Sequence, residues 1–143
     1  VLAASPDEPC SSFSSTFVVK DRMDQAVTRF AAREPITLEF KITNNASVTK
    51  TLVGYGCEFL RLEVDNKSSG RTVYSSTDGV ICDPPASAAV IHYAPGESRI
   101  YSSTWQQIDR NGQQVPNGNY LAYVFDGSQC KAALNKTSDF SIQ

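Results

Sequence analysis

Residues 36–43 have the sequence ITLEFKIT, in which apolar and polar side chains alternate without interruption. Alternate side chains of a β-strand point to opposite faces, so the apolar residues of this stretch must share one face. They are Ile36, Leu38, Phe40 and Ile42. Residues 59–64 repeat the pattern, with Leu60, Leu62 and Val64 predicted to face inward and Arg61 and Glu63 outward. One apolar and one polar face is typical of an antiparallel sheet that packs on a second sheet.

Short segments rich in β-branched and aromatic residues, each bounded by turn residues, continue in both directions from this stretch. The predicted strands are 16–20, 36–43, 50–53, 58–65, 71–76, 89–93, 98–105, 120–125 and 138–142. Strands of this number and spacing predict an all-β fold, an immunoglobulin-like antiparallel β-sandwich of Greek-key type with about seven to nine strands. The window 22–33 also has Met23, Val27 and Phe30 at helical spacing, so helix, strand and loop remain open there.

Length and charge restrict the classes of protein to which this chain can belong. The chain has 143 residues, which suits one domain over 13–143 after an N-terminal arm over 1–12. The net charge is −2 and no cluster of basic residues is present, which argues against nucleic acid as a partner. Apolar runs are only a few residues long, so no transmembrane span is expected.

The four cysteines are spread singly along the chain, at Cys10, Cys57, Cys82 and Cys130. Metal-binding cysteines usually occur in close pairs, so two disulfides and an exported location are expected, whether periplasm, cell surface or medium. A hairpin formed by 58–65 and 71–76 would bring position 79 opposite Cys57, within a loop's reach of Cys82. Cys57–Cys82 is therefore the preferred pair among three connectivities, and it leaves Cys10–Cys130.

Residue constellations for catalysis are missing from the sequence. His92 is the only histidine, too few for a zinc or copper site of sandwich type, and no serine lies in a G-x-S-x-G motif. We therefore expect no catalytic, cofactor-binding or metal-binding residues, no cofactor and no enzymatic activity.

Two polar loops are the candidate binding surfaces. The first covers 77–89 and contains Val80, Ile81, Asp83, Pro84 and Pro85, with Cys82 as a brace if it is disulfide-bonded. A proline-stiffened, braced loop loses little entropy on docking, as a proteinase inhibitor requires. It is equally open to interpretation as an ordinary crossover between sheets. The second loop covers 106–117 and carries Arg110, a side chain suited to a trypsin-like pocket.

Two turn motifs frame the strand before the second loop and the strand after it. Residues 95–98, PGES, form a predicted tight turn before a strand that ends at Trp105, which is expected to fill the core between sheets. Gly118 followed by Tyr120 suits a corner in which the tyrosine hydroxyl bonds back to the chain.

Together these segments resemble the bacterial BsuPI-type domain, the intracellular proteinase inhibitor family, over about residues 17–143. The matching runs are PITLEFKITNNASVTKTL, CEFLRLEVDNKSSGRTVYSS, YAPGESRIYSSTWQQI and VPNGNYLAYV. The resemblance implies an immunoglobulin-like sandwich and inhibition of a proteinase. The namesake of the family works inside the cell, whereas the cysteines of this chain indicate an exported variant.

Two functions are therefore expected. The first is a non-enzymatic extracytoplasmic protein-binding module, a proteinase inhibitor that acts through an end loop. The alternative is a structural or accessory subunit of a bacterial cell-envelope or surface assembly. Self-assembly would favour the alternative, because a subunit needs an exposed edge strand or a large apolar patch.

Overall fold

A computed structural model of the protein describes residues 9–54, 60–78, 89–126 and 128–143. This part of the chain is mostly β-strand with almost no helix, and each of the nine predicted strands overlaps an observed one. The strands are β1 Phe13–Lys20, β2 Arg29–Phe30, β3 Ile36–Asn44, β4 Lys50–Gly54, β5 Leu60–Asn66, β6 Thr72–Ser75, β7 Ala89–Tyr93, β8 Ser98–Trp105, β9 Gly118–Asp126 and β10 Thr137–Ile142. The helices are a 3-10 turn, Pro9–Ser12, and α1, Lys131–Leu134.

The described strands form three sheets. One has the order β1-β3-β8, the second β2-β10-β9-β5-β6, and β4 pairs with β7 in the third. All pairs are antiparallel except β2 with β10, which is parallel. Strands that follow one another in the chain are therefore often in different sheets, and the connections cross between them.

The core lies where the two larger sheets meet. The alternating face of β3 is fully buried, because Ile36, Leu38, Phe40 and Ile42 are each 0% exposed. From the five-stranded sheet, Phe140 packs edge-on against Phe30 and stacks on Tyr120, with ring centroids 5.6 and 5.7 Å apart. The predicted inward face of β3 is confirmed, and its alternation follows from the period of the strand.

Glu63 lies on the outer face of β5, as predicted, but it is buried there. Arg61 is partly exposed on the outer face of β5, but Glu63 on the same face is only 8% exposed. The hydroxyl of Tyr123, on the neighbouring strand β9, donates a hydrogen bond to the Glu63 carboxylate and covers it. Burial, followed by this hydrogen bond, raises the pKa of Tyr123 to about 12.

The window 22–33 forms a turn and a short strand, so the helical alternative is wrong. The Asp21 carboxylate accepts hydrogen bonds from the amides of Met23 and Gln25, at 2.9 and 3.0 Å, and holds the chain in a turn. A carboxylate that binds nearby backbone amides in this way competes with helix formation. β2 then pairs with β10, where Phe30 enters the core.

A disulfide joins Cys10 to Cys130, as predicted, with their Cα atoms 5.3 Å apart. Both residues are buried, and the bridge spans 120 residues of sequence. The end of the N-terminal arm is thereby held against the start of α1. Cys57 and Cys82 lie outside the described residues.

Removing the Cys10–Cys130 bridge should destabilise the fold. The double variant Cys10→Ala, Cys130→Ala should lose about 2–4 kcal/mol of unfolding free energy, because the unfolded chain regains the freedom of a very long loop. Urea denaturation under oxidising conditions measures the change. An unchanged midpoint would show that packing alone holds the arm.

A buried asparagine at the end of β3 connects three chain segments. Asn44 is 0% exposed, and its amide nitrogen donates to the carbonyls of Val48, Tyr93 and Ala94 at 3.0–3.1 Å. Its side-chain oxygen accepts from the amide of Ala46 at 2.9 Å. Because buried backbone carbonyls need partners, this side chain determines how the loop after β3 and the turn before β8 sit together.

Asn44→Leu should cost about 2–4 kcal/mol of unfolding free energy, since it leaves buried carbonyls without donors while it preserves approximate volume. Chemical denaturation is the measurement. The control is Asn45→Ala at the exposed neighbour, whose side chain makes a single hydrogen bond to Ser14 and should change stability by less than about 1 kcal/mol. Equal effects of the two substitutions would contradict the structural role assigned to Asn44.

Candidate functional site

Asp78, near the start of the first predicted loop, and residues of the second predicted loop line one surface groove. The groove has a volume of about 560 Å³ and lies between β6, the end of β8 and the loop that follows β8. Its lining is mixed apolar and polar: Val73, Tyr74, Ser75, Ser76, Asp78, Thr104, Trp105, Gln106, Ile108, Asp109 and Arg110. The first residues of the 77–89 loop thus lie beside the 106–117 loop, which the sequence could not show.

An ion pair joins the two loops at the rim of the groove. Arg110 Nη2 lies 3.2 Å from Asp78 Oδ1, and Arg110 Nε donates to Asp78 Oδ2 at 3.3 Å. Both side chains stay about half exposed, at 52% and 42%. Such an exposed pair contributes little stability. Its two-point geometry orients the guanidinium, however, so the predicted binding residue Arg110 has a defined position.

The Asp78 side of this pair is anchored to the end of β6. Asp78 Oδ2 accepts a hydrogen bond from the amide of Ser75 at 3.1 Å, and the amide of Asp78 donates to the carbonyl of Ser75. The Ser75 hydroxyl in turn lies 2.9 Å from that of Thr77. The chain therefore leaves the sheet through a tight, hydrogen-bonded turn.

The loop that carries Arg110 is a small hairpin. Asp109 Oδ1 accepts from the amides of Asn111 and Gln113 at 2.8 and 3.0 Å, and Ile108 and Gln114 form a β-bridge. Gly112 adopts a φ of 79°, a left-handed conformation that glycine takes at little cost. Arg110 is therefore displayed at the tip of an internally bonded turn.

A buried glutamine holds the base of this hairpin. Gln107 is 0% exposed, and its Nε2 donates to the carbonyls of Ala31 and Glu34 at 2.8 and 2.9 Å. Its Oε1 accepts from the amide of Arg33 at 3.0 Å and from Gln114 Nε2 at 2.9 Å. Sequence reasoning missed Gln107, because a glutamine in a polar loop looks solvated and its three backbone partners lie more than seventy positions away.

Trp105 and Tyr120 occupy the structural positions expected of them. Trp105 is 2% exposed at the end of β8, and its indole N–H donates to the carbonyl of Ile108 at 2.9 Å. Its ring stacks on Tyr74, with centroids 5.8 Å apart, and forms one wall of the groove. The expected bond of the Tyr120 hydroxyl back to the chain is present, to the carbonyl of Pro116, and Gly118 has a φ of 151°.

Other residues considered from the sequence lie elsewhere. Val80, Ile81, Asp83, Pro84 and Pro85 are outside the described residues. His92 is exposed on β7, where its Nδ1 lies 2.9 Å from the Thr51 hydroxyl across the β4–β7 pair.

Residues 9–54, 60–78, 89–126 and 128–143 contain no group of three or more histidine, cysteine or acidic side chains placed to hold a metal ion. Within the same ranges, no helix has the length and apolar character needed to span a membrane.

The groove offers binding chemistry of two kinds. Ile108, which is 40% exposed, and Val73 provide apolar contact, while Ser76 and Thr104 add a partly exposed and an exposed hydroxyl. Arg110 adds a positive charge at the rim. A protein segment with a mixed apolar and polar surface is the type of ligand that such a lining suits.

Comparison with known proteins gives a likeness of fold. No family model and no curated protein matches the sequence. Among solved structures, the chain is similar to the alkylpurine DNA glycosylase AlkC of Pseudomonas fluorescens, bound to DNA containing an abasic site analog, with 13% identity and a TM-score of 0.52. That match covers 92% of this chain and 30% of the other. At this identity the likeness shows the fold alone.

Weaker matches are found in glycoside-processing enzymes. The β-glucosidase EmGH1 of Erythrobacter marinus is 10% identical with a TM-score of 0.48, over 92% of this chain and 15% of that one. A Paenibacillus cycloisomaltooligosaccharide glucanotransferase is 15% identical with a TM-score of 0.48, over 92% and 14%. In each of these three comparisons the chain spans less than a third of the other protein's length.

Gln107→Ala should loosen the loop that displays Arg110. The substitution removes four hydrogen bonds and takes these partners from partly buried backbone groups at 31–34, so we expect a loss of about 1–3 kcal/mol and faster amide exchange over 108–114. Hydrogen exchange with mass spectrometry measures both effects. Gln106→Ala, at the exposed neighbouring position, should leave exchange in this loop unchanged, and a similar response to both substitutions would count against Gln107.

Proposed function

We propose that this protein is a non-enzymatic, extracytoplasmic protein-binding module that inhibits a proteinase through the groove and the Arg110 hairpin. The observation that carries the proposal is the Asp78–Arg110 ion pair, because it joins the two loops selected independently from the sequence into one surface. The buried Cys10–Cys130 disulfide supports an oxidising compartment.

The rigidity of the Arg110 hairpin supports inhibition in particular. A loop that binds the active site of a proteinase must hold one conformation, since ordering it on binding would weaken the complex. Here Gln107 fixes the base, Asp109 fixes the turn, and Asp78 orients the arginine. An arginine at an exposed tip matches proteinases with an acidic specificity pocket, such as trypsin-like enzymes.

The finer fold that accompanies this proposal is an immunoglobulin-like Greek key of BsuPI type. The order β10-β9-β5-β6 in one sheet, with β3 and β8 paired in the other, supports it. The Tyr120 hydroxyl bond and the buried Trp105 are further support, because similar features recur in such sandwiches.

The test is inhibition of a panel of secreted serine and metalloproteinases by the oxidised protein. We expect stoichiometric inhibition of a trypsin-like enzyme and co-elution of the complex in size exclusion. Arg110→Ala should weaken inhibition at least about tenfold, as expected of an arginine that anchors an interface. Arg22→Ala, at an exposed turn outside the groove, is the matched control and should inhibit like the wild type.

Indifference to every proteinase would overturn the inhibitor proposal, as would full inhibition by the Arg110→Ala variant. The second candidate function, a subunit of a cell-envelope or surface assembly, would then be preferred. Its specific support is the outward face of β5 and β9, where Phe125 is 48% exposed.

A further inference from the structure

The outer face of the five-stranded sheet carries three cross-strand pairs in an ordered series. In the register of β5 with β9, Arg61 lies opposite Phe125, Glu63 opposite Tyr123, and Asp65 opposite Leu121. Residues directly opposite each other in an antiparallel pair share a face, so these six side chains form three rungs on one surface. The alternate residues Leu62, Val64 and Ala122 are buried in the core behind them.

The side chains of the first rung are held in place and remain available to a partner. The Arg61 guanidinium lies over the Phe125 ring, 4.0 Å from its centroid. Phe125 is 48% exposed, and the Arg61 side chain is 36% exposed. Arginine and aromatic side chains are enriched at the centres of protein interfaces, and a cation over an aromatic ring needs little reorganisation on binding.

The two ends of this series of rungs carry opposite charges, so the face is complementary to a second copy placed against it in the reverse direction. A two-fold axis between the copies, in the plane of the sheets and across the strands, reverses the order of the rungs. Arg61 then faces Asp65 of the second copy, and Phe125 faces Leu121 of the second copy. The central Tyr123 faces its own counterpart. Opposite charges meet opposite charges, and apolar side chains meet apolar side chains.

We propose that this face, defined by the rungs Arg61–Phe125, Glu63–Tyr123 and Asp65–Leu121, binds a second copy of the chain in a symmetric dimer. Charge complementarity about the two-fold axis selects a second copy as the occupant, since it pairs each Arg61 with an Asp65. The proposal does not depend on proteinase inhibition.

Among the three rungs, the one like-charge contact is that of Glu63 with Glu63 of the second copy. Interactions within each copy already neutralise the Glu63 charge. Its carboxylate accepts the hydrogen bond from Tyr123 and lies 3.7 Å from the Arg61 guanidinium. Its side chain is only 11% exposed. Each copy therefore neutralises its own glutamate before the faces meet, and among the six rung residues the partly exposed charges are those of Arg61 and Asp65.

None of the six rung residues lines the groove, so the proposed dimer contact and the groove use different side chains. Each dimer would then display two Arg110 hairpins, so a partner with two sites could bind with increased avidity.

Sedimentation equilibrium of the wild-type protein is the first measurement. The mass should rise from the monomer value of 15.6 kDa towards twice that value between about 10 µM and about 1 mM, as expected of a small interface. High salt should shift the transition to higher concentration, because the charge pairs are screened. A monomer throughout this range would overturn the proposal.

Charge reversal tests the pairing itself. Arg61→Glu should be monomeric, because the introduced glutamate faces Asp65 of the second copy. Asp65→Lys should be monomeric for the converse reason, since the introduced lysine faces Arg61. An equimolar mixture of the two variants should recover dimers, because both contacts of that heterodimer join opposite charges.

Two controls separate the interface from effects on folding. Lys41→Glu makes the same change of charge as Arg61→Glu, on an exposed position of β3 in the other sheet, and should dimerise like the wild type. Thr72→Val removes the hydroxyl that donates to Asp65 at 2.8 Å without reversing a charge, and should also dimerise. Failure of the mixed variants to associate, with folded monomers by circular dichroism, would refute the Arg61–Asp65 pairing.

Discussion

The packing of Trp105 between two tyrosines is the contact on which the rest of the structure depends. Trp105 belongs to the three-stranded sheet, whereas Tyr74 and Tyr120, whose rings it contacts, belong to the five-stranded one. This aromatic cluster therefore joins the sheets at the end where the groove opens. The indole N–H also binds the carbonyl of Ile108, so the same side chain fixes the start of the hairpin that displays Arg110.

Two buried amides hold the loops at opposite ends of the three-stranded sheet, Gln107 beside Trp105 and Asn44 at the far end of β3. Asn44 and Gln107 are both 0% exposed, and each satisfies backbone groups from segments far apart in the chain. Hydrogen bonds of this kind contribute modest net stability, but breaking them is expensive because the freed groups remain buried. Gln107 holds the base of the hairpin beside the groove, whereas Asn44 holds the loop after β3 against the turn before β8.

The groove and the outer face of β5 and β9 divide the surface between two roles. The groove collects loop residues with an ion pair at its rim, a lining that suits another protein. The outer face instead displays side chains from strands, in a register that suits a second copy. The two surfaces use different side chains, so the proposed dimer would carry two copies of the groove.

Strand positions could be derived from the sequence because they depend on local alternation. The period of two in 36–43 and 59–64 predicted which residues of β3 and β5 enter the core, and turn residues marked most strand ends. Where alternation was absent, the sequence did not select one structure: the 22–33 window allowed helix, strand or loop, and the Asp21 carboxylate holds a turn there. The burial of Glu63 on the outward face could not be predicted, because Tyr123, whose hydroxyl covers its carboxylate, belongs to a strand distant in the sequence.

The candidate site, like the fold, could be predicted only in part from the sequence. The sequence by itself determined an all-β chain, the two candidate loops and Arg110. It also indicated Trp105 and Tyr120 as structural residues at the ends of strands. It also allowed the Cys10–Cys130 pair as one of several. Only the tertiary structure decided that Asp78 meets Arg110 and that Gln107 is buried. It also decided that Arg61 and Asp65 lie at opposite ends of one series of rungs. Such contacts join residues tens of positions apart, and their geometry exists only after the sheets have paired and packed.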